Sequence, residues 1–143
     1  MIIEKALGKL GDAAFLGRAI DVLDIEWFNA AKRVDRKTTR SGRDVGIRMD
    51  HTVLTQDQVV FDDGNELIAV NILPCECIRV KTRSVSEIVG FCYRVGNHHA
   101  PLFYGGGENE FLTPYDKPLM AILLELGFDA QQIEDRLLPE KSI

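Results

Sequence analysis

The chain has 143 residues, 45% of them hydrophobic, which is enough apolar material for one ordinary domain or two small ones. Its 17 Lys and Arg against 22 Asp and Glu give a formal charge of -5, so no basic surface is left over to neutralise phosphates, and a nucleic-acid binder is excluded. No apolar stretch is long enough to span a bilayer, which argues against a membrane protein. The opening Met1-Ile2-Ile3-Glu4 lacks the basic start and small-residue cleavage site of a signal peptide, and three cysteines (Cys75, Cys77, Cys92) do not make a disulfide framework. The expected compartment is therefore the reducing cytoplasm.

Along the chain, the first half reads as strands. Trp27 and Phe28 are expected to plug the core of an all-β unit. Basic residues gather between Lys32 and Arg43, interrupted by Asp35 and followed by Asp44, and read as a solvated strand face. Val45, Ile47 and Met49 alternate with polar or small residues, so they share one face of a strand. With Ser41-Gly42 as the turn, Arg33 to Met49 reads as a hairpin. His51 stands alone and reads as a surface or turn residue. Asp62 to Asn65 is a turn signal, followed by a β-rich run from Glu66 to Leu73.

Pro74 marks a break. Cys77 to Thr82 alternates as a strand. Ser84-Val85-Ser86-Glu87 matches a capping box, and Val85, Ile88, Val89, Cys92 and Val95 follow at helical spacing as one apolar face. The spacing predicts a helix from Val85 to Val95, ended by Gly96 in a left-handed conformation. Strands are expected over His99 to Tyr104 and Glu110 to Thr113. A second helix is signalled by Pro118 in its first turn, apolar Leu119, Ile122, Leu123 and Leu126, and Gly127 as terminator. Gln131 to Leu138 reads as a last strand. The order strand, helix, strand, strand, helix, strand is that of the split βαβ, or ferredoxin-like, arrangement. The fold class expected is thus α+β, with an all-β domain over residues 1–74 and a ferredoxin-like βαββαβ domain over 75–143.

Two of the three histidines, His98 and His99, are adjacent, just past the first helix. Imidazole suits Ni, Cu and Zn. On an extended segment the two side chains point to opposite faces, so they would not chelate one ion together. A two-fold dimer would instead bring two copies of one histidine to its axis. Spacing alone favours a surface loop, because no CxxC or HxxxH pattern supports the pair. Cys75-Glu76-Cys77 reads as structural or surface cysteines ahead of thiolate ligands, and Cys92 as core.

The run from Phe91 to Tyr104, which contains Tyr93-Arg94-Val95-Gly96-Asn97-His98-His99-Ala100-Pro101, resembles the signature of the UreE family of urease accessory proteins. Met1 to Glu4 resembles the start of that family, and Thr39 to Ile47 resembles the hairpin of its first domain. Thr113 to Pro118 and Leu124 to Gly127 fall where the family has its second helix. The resemblance implies a cytoplasmic nickel metallochaperone without catalysis. It further implies a homodimer joined through the ferredoxin-like domain, working with other urease accessory proteins and the urease apoenzyme. On that resemblance His99 is the metal ligand, His98 stands where the family has Arg and adds a second imidazole, and Asp116 matches an acidic position near further ligands. The cargo implied is Ni²⁺, with Cu²⁺ and Zn²⁺ as competitors. The family's His-rich tail has no counterpart after His99, so tail-based nickel storage is not expected. Two other readings are a partner-docking module built on the β domain with incidental metal binding, and a hydrolase using Cys92 or Cys77 with His99. No acid or nucleophile motif surrounds those cysteines.

Overall fold

A computed structural model describes residues 1–143, which divide into two compact units, 1–73 and 74–143. The chain is mixed α and β, with two helices and three sheets.

In the first unit the strands are β1 (Ile2–Ile3), β2 (Gly8–Lys9), β3 (Ala19–Ile25), β4 (Val34–Thr38), β5 (Asp44–Arg48), β6 (Gln58–Asp62) and β7 (Glu66–Ile72). One sheet runs β1-β5-β4 and the other β2-β6-β7-β3, with β3 parallel to β7 along seven residue pairs. Val45, Ile47 and Met49 are all buried, as one face of a pleated strand requires. Leu67, Ile68, Ala69 and Val70 are buried on both faces, so β7 reads as a continuous apolar run rather than an alternating one.

Trp27 and Phe28 do not plug this core. They lie in a single 3-10 turn after β3, where Phe28 is 65% exposed and Trp27 half-buried against it. The interior is filled instead by aliphatic residues of the strands, such as Leu23, Ile25 and Ile72.

The basic run is also less free than a solvated face. Gly42, at φ 96°, turns the chain between β4 and β5, and acidic residues of β3 hold that turn. Asp21, 5% exposed, accepts hydrogen bonds from the Ser41 backbone N–H (3.1 Å), the Ser41 hydroxyl (2.6 Å) and Arg43 Nε (3.1 Å). Asp24 receives both arms of Arg40, each at 2.8 Å, and Asn71 Nδ2 at 2.8 Å. Lys37 reaches Glu26 at 2.7 Å, and Arg43 also bonds Glu66. A buried carboxylate is tolerated when its lone pairs are met in this way. Burial raises the Asp21 carboxyl, but the bonds from Ser41, Thr39 and Arg43 outweigh it and hold the group well below the usual range. The Lys37 and Asn29 bonds hold Glu26 at about 2.

The second unit consists of β8 (Cys75–Lys81), α1 (Val85–Asn97), β9 (Phe103–Tyr104), β10 (Glu110–Pro114), α2 (Lys117–Glu125) and β11 (Asp129–Asp135). Its sheet order is β11-β8-β10-β9, and every neighbouring pair is antiparallel. Ile78, Val80, Phe91, Val95, Phe111, Leu119, Leu123 and Ala130 form one core, so both helices cover the same face of the sheet.

Several boundaries differ from those expected, and β8 (Cys75–Lys81) and β10 (Glu110–Pro114) are each displaced by one or two residues. Helix α1 continues two residues beyond Val95. Strand β9 is confined to Phe103–Tyr104, because the residues from His99 to Leu102 leave the helix and pass Pro101, which has no N–H to give a ladder. Strand β11 starts at Asp129, opposite Lys81, and stops at Asp135, opposite Cys75, because β8 offers no partner beyond its first residue.

Because their folded-state pKa values lie below those of the unfolded chain, Asp21 and Glu26 stabilise the first unit above about pH 4.5. That contribution is lost as the pH falls toward the folded-state values. Urea unfolding followed from pH 7 to pH 2.5 should show stability declining below about pH 4.5. Asp21→Asn should cost about 2 kcal/mol at neutral pH and make the decline shallower.

Candidate metal centre

Helix α1 begins where Ser84 Oγ accepts the Glu87 backbone N–H at 3.1 Å. The Glu87 carboxylate turns outward to the Arg83 N–H (2.7 Å) and guanidinium, so only half of the expected capping box forms. At the other end Gly96 remains helical, and the left-handed residue is His99, at φ 53°. The His99 N–H donates to the Gly96 carbonyl at 3.0 Å and the Ala100 N–H to the Val95 carbonyl at 3.2 Å. This pair of bonds is the Schellman exit, and its accompanying apolar contact is supplied by Val95 and Ala100, which pack in one core.

Helix α2 ends in the same way. Gly127, at φ 83°, donates to Leu124 at 3.1 Å, and Phe128 donates to Leu123 at 3.0 Å. The two exits match bond for bond, but glycine occupies the left-handed position in one and histidine in the other. An L-residue with a Cβ is disfavoured there by about 1–2 kcal/mol, a cost that histidine tolerates better than most.

His98 caps α1 in an ordinary helical conformation. Its Nε2 stands 3.8 Å from Asp116 Oδ2, too far for a hydrogen bond but close enough to attract when the ring is protonated. Asp116 caps α2, its Oδ2 accepting the Leu119 N–H at 2.9 Å. The fold thus brings His98 and Asp116 together at the junction of the two helix ends. His99 is exposed beside them in the chain, yet His98, His99 and Asp116 do not converge into a three-donor group within one chain. Because neither histidine lies on an extended segment, the geometric objection to their acting together does not apply. His51 belongs to the other unit, exposed at φ 59°.

The apolar face of α1 is split. Phe91 and Val95 are buried, and Ile88 and Cys92 are half-buried. Val85 (76% exposed) and Val89 (63%), expected on the core face, instead form an outward stripe with Tyr93 (65%). The spacing of four residues places them in one row along the helix, which leads to its histidine end. That outward row was recoverable from Val85, Val89 and Tyr93, had the inward face been centred on Phe91 and Val95.

Burial pushes all three thiols up, Cys77 to about 12 and Cys75 and Cys92 in the same direction. A nucleophilic cysteine needs the opposite shift, so the hydrolase reading has no activated thiolate.

Comparison with known proteins gives a consistent result. Residues 3–73 match the family model described as the N-terminal domain of the UreE urease accessory protein. The chain is 40% identical over 140 residues to urease accessory protein UreE of Helicobacter pylori strain Shi470, covering 96% of this chain and 82% of that protein. It is similar to the same degree to the UreE of Helicobacter acinonychis strain Sheeba. It is 38% identical over 128 residues to the UreE of Acetivibrio thermocellus, covering 89% of this chain and 82% of that protein.

The two helix exits make a stability prediction. His99→Gly should leave the protein about 1 kcal/mol more stable than His99→Ala, since only glycine relieves the left-handed backbone. Thermal unfolding of the two variants checks this.

Proposed function

This chain belongs to the UreE family of urease accessory proteins, and from that premise we propose that it is a nickel carrier that works as a homodimer. It is an accessory protein and not an enzyme. In this reading the second unit has the ferredoxin-like topology and serves for metal binding and dimerisation. Two copies of His99 meet at a two-fold axis and hold one Ni²⁺, with His98 and Asp116 at the margin of the site. The observation that carries the reading is that His99 occupies, exposed, a left-handed position that glycine fills in the other helix exit. A histidine kept at a conformational cost on a rigid helix end is a group held for use.

The outward row Val85, Val89 and Tyr93 supports a second copy as its occupant. An isologous contact along α1 would bury that row, and the same symmetry would pair the helix ends that carry His99. Ni²⁺ accepts nitrogen and oxygen donors in square-planar or octahedral geometry. Two imidazoles leave several positions to water, and those are the positions where a recipient's ligands attack. Such a site releases its cargo readily to the urease apoenzyme and its other accessory proteins. The same thin donor set discriminates poorly, so Cu²⁺ binds at least as tightly as Ni²⁺ and Zn²⁺ competes, with selectivity left to metal supply and partner. The free thiols fit a reducing cytoplasm. The first unit, with Phe28 exposed on it, is the surface this reading assigns to partner docking.

Equilibrium dialysis with Ni²⁺ tests the reading. The wild type should bind about one ion per dimer, and His99→Gly, which does not strain the fold, should lose at least about tenfold in affinity. Unchanged binding in that variant overturns the assignment. Val89→Glu should shift the protein toward monomer in sedimentation velocity and weaken Ni²⁺ binding with it.

A further inference from the structure

Cys75 and Cys77 lie two residues apart on β8, so their side chains share one face of the strand. The alternate residues Ile78 and Val80 belong to the helix-covered core, so the cysteines occupy the opposite face of the sheet. Their Sγ atoms stand 3.7 Å apart. The Cys77 thiol also lies 3.3 Å from the Cys75 carbonyl oxygen and 3.6 Å from that of Asp135, on the paired strand β11.

Two sulfurs bound to one ion at about 2.3 Å each, with a tetrahedral angle between them, stand about 3.8 Å apart. The observed separation is close to that value. A disulfide fits less well. Two residues of extended strand put the Cα atoms about 6.6–6.8 Å apart, at the outer limit of what that bond spans. Charge points the same way. Asp135, Glu76 and Glu134 are near enough to Cys75 for their negative charge to oppose a bare thiolate, and a bound cation turns that repulsion into attraction. Cys75 is half-buried, giving an ion a way in, while Cys77 is fully buried and shields the inner side.

We infer that Cys75 and Cys77 form a second metal site, selective for a thiophilic d¹⁰ ion, with Zn²⁺ as the ligand. Two thiolates and two water molecules or carbonyl oxygens complete the coordination. Each ion bound displaces the two thiol protons to solvent and leaves a neutral dithiolate–Zn unit. No third His, Cys, Asp or Glu side chain is in place, so occupancy is exchangeable rather than structural. The site uses neither His98 nor His99 and is independent of the nickel reading.

The reduced full-length protein should be titrated with Co²⁺ as a spectroscopic stand-in for Zn²⁺. A near-ultraviolet thiolate-to-cobalt charge-transfer band is expected, lost on adding Zn²⁺, retained in the His98→Ala/His99→Ala double variant, and absent in Cys75→Ser. Zn²⁺ should also slow iodoacetamide alkylation of Cys75, mapped by mass spectrometry in the wild-type chain, by at least about tenfold. No charge-transfer band in the wild type, an undiminished band in Cys75→Ser, or an alkylation rate unaffected by Zn²⁺ would each overturn the proposal. Loss of Ni²⁺ binding in the double variant with the cobalt–thiolate band intact would separate the two sites.

Discussion

The reach of the Ala100 N–H back to the Val95 carbonyl fixes how helix α1 ends. That bond closes only if the residue between helix and loop turns left-handed, and the residue there is His99. Val95 lies in the core and Ala100 packs against that core, so the turn that carries the imidazole is anchored on both sides. The matching exit of α2, with Gly127 in the same place, shows what the fold would use if conformational ease were the only demand. In the proposed function, His99 is the position where function and local stability pull against each other.

The two units reach their stability by different means. In the second, two helices on one face of a four-stranded sheet bury a shared set of aromatic and aliphatic side chains. In the first, two small sheets are supplemented by the carboxylates of β3, which hold the turn between β4 and β5 through Arg40, Ser41 and Arg43. Truncating one partner of such a lattice leaves a buried charge uncompensated, which is why Asp21 is a more sensitive position than its neighbours on the surface.

Much of this was legible in the sequence where local chemistry decides the structure. Ser84, Asp62 and Asp63 act through side-chain oxygens that accept backbone N–H groups two or three residues on, and Gly127 acts through its own left-handed backbone, so each cap or turn lies where the residue types require it. Errors arose where tertiary contacts override local preference. Gly96 has the freedom to end α1, yet the helix runs past it and the closing bonds form at His99 and Ala100. Trp27 and Phe28 are large and apolar, but a 3-10 turn after β3 carries Phe28 outward and leaves Trp27 half-buried. The role of Asp116 as a helix cap is local and readable, whereas its approach to His98 depends on how two helix ends are juxtaposed. The thiol pair was visible as a spacing, but the sulfur separation and the carbonyls across the strand were not.

A carrier differs from a storage protein in what it leaves unfilled. In the proposed function, two imidazoles on an axis would bind an ion firmly enough to collect it and incompletely enough to surrender it, and two-fold symmetry would supply the second ligand without a second motif in the chain. The most direct test of this account is diffraction at the nickel edge from crystals grown with Ni²⁺. The account predicts an anomalous peak on a two-fold axis within coordinating distance of His99 from two copies. A peak bound within a single chain, or one remote from His99, would contradict it.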